Sequence, residues 1–109
     1  MANSFNRDIL IQVPDPKRAA AFYVENLGFE VTGEDENIIS LNGRHVNLFI
    51  EQGSPIGPVL EVLVDSVQAA RQRLLTRGCV VVREDPEFPR CYVRDLFGLT
   101  YNLTSHVEE

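Results

Sequence analysis

The chain has 109 residues, 44% hydrophobic and 24% charged, which is the composition of a globular domain and excludes a disordered tail or a collagen-like chain. A formal net charge of -6 would repel a phosphate backbone, so nucleic acid is not expected as a partner. No window approaches the roughly 18 consecutive apolar residues of a membrane-spanning helix, and the first residues lack a basic stretch followed by an apolar one. A cytoplasmic protein with no membrane partner is the expectation.

Residues 8–13, Asp-Ile-Leu-Ile-Gln-Val, form a β-rich run that Pro14 stops. Asp15 is placed to cap a helix, Pro16 suits its first position, and Ala19, Phe22, Tyr23 and Leu27 recur along one face. Gly28 can close it in the left-handed conformation. Short strands are predicted at 29–32, 38–41 and 45–51, the last two joined by the hairpin signal Asn42-Gly43. The segment 52–58, with two glycines and two prolines, reads as a linker.

The order then repeats. A strand at 59–64 leads to a helix capped by Asp65 or Ser66, carrying Val67, Ala70, Leu74 and Leu75 and closed by Gly78. Strands follow at 79–83, 90–94 and 99–104, with turns at Asp85-Pro86 and 95–98. Asp15 to Gly28 and Asp65 to Gly78 both span 13 positions, and each Asp sits 50 residues from its counterpart. The expectation is an α+β fold in a single domain 1–109. Two β-α-β-β-β modules, about 8–52 and about 59–104, pair into a curved mixed sheet with a cleft on its open face.

Alternation assigns the faces. Ile9, Ile11, Val13, Val46, Leu48, Ile50, Leu60, Val62, Val64, Cys91, Val93, Tyr101 and Leu103 should lie under the helices. The opposite face should carry Asp8, Gln12, His45, Asn47, Phe49, Glu61, Arg90, Tyr92, Arg94, Thr100 and Asn102. Phe22 and Leu74 are expected on core-facing helix stripes. Cys79 and Cys91 have no CxxC spacing or adjacent His, and read as reduced core thiols. His45 reads as an exposed strand residue and His106 as part of a frayed terminus.

The runs Val13-Pro14-Asp15-Pro16-Lys17-Arg18-Ala19-Ala20-Ala21-Phe22-Tyr23 and Asn26-Leu27-Gly28-Phe29-Glu30-Val31 resemble the first strand-helix-strand of the vicinal oxygen chelate superfamily. That is the glyoxalase, bleomycin resistance and extradiol dioxygenase group. Val62-Leu63-Val64-Asp65 and Tyr92-Val93-Arg94-Asp95-Leu96-Phe97-Gly98 extend the resemblance over about residues 8–104. It implies a divalent metal held by a His on the first strand and a Glu on the last strand of each module. Those positions read Asp8, Asn47, Val59 and Asn102 here. An alkyl chain and two neutral amides are poor ligands for first-row divalent ions, so no metal cofactor is expected. The resemblance then favours the metal-free, dimeric, ligand-trapping members: a homodimeric small-molecule binding protein for resistance or sequestration. A lyase, isomerase or dioxygenase with an altered site is the alternative.

The ligand-binding candidates are Asp8, Asn47, Glu61, Tyr92, Arg94 and Asn102. The two asparagines are either paired amides on a cleft floor or ordinary polar positions of half-solvated strands. Glu61 interrupts an apolar run, where it could pair with Arg94 or act as a base. Arg90, Tyr92 and Arg94, on alternate positions, either receive an anionic or aromatic ligand or form a solvated edge.

Overall fold

The computed structural model describes residues 4–85, 87 and 90–105. His106 and Pro86 lie outside the described residues. The elements run β1 (Ser4–Val13), α1 (Pro16–Leu27), β2 (Glu30–Glu34), β3 (Ile38–Asn42), β4 (Asn47–Gln52), β5 (Ile56–Val64), α2 (Val67–Thr76), β6 (Val80–Asp85), β7 (Arg90–Arg94) and β8 (Thr100–Ser105). This is the α+β architecture of two successive β-α-β-β-β modules. Two compact units result: Arg7–Pro58, and Val59–Glu109 joined by the segment ending at Asn6. No helix among the described residues is long and apolar enough to cross a membrane.

In the first unit the strand order is β2-β3-β4-β1. β1 and β4 are parallel, and β4 pairs antiparallel with β3, so α1 serves as the crossover between parallel strands. Asp15 caps α1, its carboxylate accepting the Arg18 N–H at 3.2 Å, and Gly28 ends the helix at φ 80°. Ala20, Ile39, Leu41, Leu48 and Ile50 form the core, with Ile9, Ile11, Val13, Ala19, Tyr23, Val24 and Phe29 packed on it.

The helix is rotated from the expected stripe. Ala20, Tyr23 and Val24 face the sheet, while Phe22 and Leu27 are 57% and 63% exposed. One residue of phase turns a helix by 100°, and the alanine-rich first turns carry no bulky side chain to set that phase. Val46 also leaves the expected core, because it closes the hairpin loop through its carbonyl, which accepts the Gly43 N–H at 2.8 Å. Gly43 itself is required by packing, since a Cβ there would come within 2.5 Å of the Phe29 ring.

In the second unit the order is β5-β8-β7-β6, with β5 and β8 parallel and the β8–β7 and β7–β6 pairs antiparallel. Ser66, not Asp65, caps α2, its hydroxyl accepting the Ala69 N–H at 3.1 Å. Val62, Val64, Ala70, Cys79, Cys91, Val93 and Leu103 form the core, with Val67, Leu74 and Tyr101 against it. Both cysteines are free and buried. Leu60 is half-buried and falls outside this cluster, which begins on β5 at Val62.

The linker expected at 52–58 is shorter than its glycine and proline content suggested, because Ile56, Gly57 and Pro58 already belong to β5. Gly57 permits this. At φ 109° its backbone approaches β1 so closely that a Cβ would stand 2.8 Å from the Leu10 carbonyl oxygen.

Candidate functional site

Within the first unit, the ladder sets Asp8 opposite Asn47, Leu10 opposite Phe49 and Gln12 opposite Glu51. Ile9, Ile11, Leu48 and Ile50 point to the α1 core, so these three pairs share the other face. Asn47 and Asp8 are brought together: the amide Nδ2 donates to Asp8 Oδ1 at 2.9 Å. Two residues beyond the Leu10–Phe49 pair, Gln12 Nε2 donates to Glu51 Oε1 at 2.7 Å. Gln12, placed by alternation on the face away from the helices, is only 5% exposed. Glu51 was not singled out from the sequence. The shared separation of 39 residues would have found it, since any register that pairs Asp8 with Asn47 also pairs Gln12 with Glu51.

Within the second unit, β8 lies between β5 and β7, so Asn102 faces Glu61 on one side and Tyr92 on the other. Its carboxamide oxygen accepts the Cys91 backbone N–H at 2.9 Å, one residue past the Tyr92–Asn102 pair that ends the β7–β8 register. Glu61 Oε1 accepts from Asn6 Nδ2 at 2.7 Å, in place of the expected pairing with Arg94. Tyr92 is 2% exposed and carries the Arg90 guanidinium 5.4 Å above its ring, so this part of β7 is no solvated edge. Arg94 is exposed, opposite Thr100 and Val80. Beneath this face, burial pushes the Tyr101 hydroxyl up to about 12, with Cys79 and Asp95 adding to the effect. Burial, and then Glu84, likewise raises the Cys91 thiol. Glu84 is held by Arg71 at 2.7 and 3.0 Å, a bidentate pair that raises the guanidinium in turn.

These contacts bear on the implied metal. Val59 stands opposite Thr100, and Glu61, not Val59, stands opposite Asn102, so the four positions read from the sequence are not two matching pairs. Asn47 turns an N–H toward Asp8, and the Asn102 oxygen is engaged by a backbone donor. Among the described residues no group of three or more His, Cys, Asp or Glu gathers as a metal site. With Glu61 in place of Val59 the positions hold two carboxylates and two neutral amides already engaged, a poorer donor set than the imidazoles and carboxylates that suit first-row divalent ions.

A separate cleft of about 380 Å³ lies in the first unit, lined by Pro14 to Lys17, residues 34–39 and Gln52. It does not include the Asp8–Asn47 pair.

Residues 7–102 match the model of the Glyoxalase/Bleomycin resistance protein/Dioxygenase superfamily. The chain belongs to that superfamily. Among solved structures, it is similar to homoprotocatechuate 2,3-dioxygenase from Brevibacterium fuscum, a complex with 3,4-dihydroxyphenylacetate. Identity is 28% and the TM-score 0.62, over 98% of this chain and 39% of the dioxygenase. The Mn(II)-bound glyoxalase from Novosphingobium aromaticivorans matches at 24% identity and a TM-score of 0.58, over 93% of this chain and 38% of that one. A superfamily member from Vibrio splendidus 12B01 matches at 16% identity and a TM-score of 0.61, over 94% and 99% of the two chains. The last two likenesses speak to fold alone. The chain thus spans well under half of the dioxygenase and of the glyoxalase. Among curated proteins nothing matches.

Proposed function

We propose that this superfamily member is a metal-independent small-molecule binding protein that sequesters its ligand, as in resistance, and acts as a cytoplasmic homodimer. What supports the reading is the commitment of the two amides: Asn47 is spent on a carboxylate and Asn102 on a backbone N–H. Glyoxalase and dioxygenase chemistry draws its main electrostatic stabilisation from a metal, and these residues offer that ion too few donors. Asp8, Asn47, Glu61, Tyr92, Arg94 and Asn102 are the groups we assign to the ligand. Asn102 would offer its N–H donors and Asn47 its carbonyl, while Tyr92, buried with the Arg90 guanidinium over its ring, would back the site from within.

The second reading, an enzyme of the lyase, isomerase or dioxygenase type, draws on the 28% identity to the Brevibacterium fuscum dioxygenase. Elemental analysis of purified protein and calorimetric titration with Zn(II), Ni(II), Mn(II) and Fe(II) separate the two. The binding-protein reading expects no stoichiometric metal, together with melting temperatures that rise with added organic ligands. Tight binding of one metal per chain would overturn it in favour of the enzyme.

A further inference from the structure

Two surface features that the ligand-binding reading leaves unused match each other. The first is the turn between β7 and β8, where Leu96 is 64% and Phe97 92% exposed. The turn is firmly tied: Asp95 Oδ1 accepts the Phe97 and Leu99 N–H groups at 2.9 and 3.0 Å, and the Asp95 N–H donates to the Leu99 carbonyl at 3.0 Å. An aromatic ring held out in water on an ordered turn loses little further entropy when it docks. Cations border it. Arg94 is exposed directly before the turn, and Leu96 lies over Gly78, next to the exposed Arg77.

The second feature is the cleft of about 380 Å³ at the start of α1. Pro14, Pro16 and Ile38 give it apolar walls, and Asp15, Glu34, Asp35 and Glu36 give it an acidic rim, on which Lys17 lies 3.9 Å from Glu34. With a charge of -6, two copies of this chain repel one another over most approaches. A contact between copies gains where a cation-bordered apolar knob meets an acid-rimmed apolar cleft.

We propose that the Phe97 turn of one copy docks into the α1 cleft of a second copy, with the ring against Pro14, Pro16 and Ile38 and with Arg94 and Arg77 over the acidic rim. This rests on the self-association put forward above and specifies its contact. Sedimentation equilibrium tests it. Phe97→Asp, at an exposed position that leaves the fold intact, should weaken association about tenfold or more. Phe22→Asp, at another exposed apolar site, should not. An Asp35→Arg/Glu36→Arg double variant should be impaired like Phe97→Asp, yet mixing the two should restore a two-chain species, because one supplies the turn and the other the cleft. Association that survives Phe97→Asp overturns this contact and leaves self-association standing. Two impaired variants that fail to complement overturn it as well, and a monomeric wild type overturns both.

Discussion

The two modules repeat one plan and spend the same residue type differently. In the first, Asn47 bonds side chain to side chain with Asp8, across parallel strands. In the second, the Asn102 oxygen takes the N–H of Cys91 and so does part of the work of the β7–β8 ladder. An amide bound to a carboxylate can be exchanged for another polar group at modest cost, whereas an amide that satisfies a backbone donor is part of the sheet. A repeated scaffold can thus keep its topology while one half holds a replaceable polar pair and the other holds a structural one.

The largest effects should come from what the halves share. Ile50→Ala and Val93→Ala empty fully buried positions in the two cores, and each should lower unfolding free energy, by about 2 to 5 kcal/mol for the isoleucine and somewhat less for the valine. Phe22→Ala, at a 57% exposed position, should cost well under about 1 kcal/mol. A Phe22 loss as large as that of Ile50 would return α1 to the rotation expected from its sequence. Urea titration reads all three.

Asn102→Ala strands a backbone N–H and should cost about 1 to 3 kcal/mol, while Asn47→Ala should cost about 1 kcal/mol or less. Equal losses in chemical denaturation would erase the difference drawn here. Asn102→Asp is a finer probe, since it keeps an acceptor for Cys91 and should recover most of the loss.

The smallest expected effect is alkaline. Tyr101 is raised from 10.0 to about 12, so the unfolded chain releases this proton while the folded chain still holds it. Stability from this group is complete below pH 10 and is lost as pH rises toward 12. The Cys91 thiol, also raised, acts in the same direction from its ordinary value of 9.0 upward. Tyr101→Phe should flatten part of that decline in stability against pH, and an unchanged slope would assign the decline to other groups.

Much of the scaffold was legible in the residues. The Asp15 and Gly28 caps and the strand alternation rest on local chemistry, and local chemistry is what sequence carries. The β3–β4 hairpin was placed correctly, but its turn runs over 43–46 with the left-handed residue at Arg44 instead of Gly43. The rotation of α1 was not legible, because Ala19, Ala20 and Ala21 fit either phase. The site was readable by position but not by contact. Glu61 meets Asn6 across 55 residues, and Asn102 meets a backbone N–H that no side-chain pattern announces. Register shifts between Val31 and Gly33 and between Val81 and Arg83 further break any simple count along the outer strands.

The close approach of the Phe29 ring to Gly43 offers a spectroscopic handle. A glycine α-proton that replaces a forbidden Cβ, with ring carbons from 2.5 to 3.1 Å of that point, sits deep in the ring's magnetic field. Its resonance should fall far from the unstructured glycine value and collapse toward it when the start of β2, which Phe29 directly precedes, separates from the β3–β4 hairpin. The first module therefore carries its own reporter of β2–β3 pairing, readable in one proton signal without any added label.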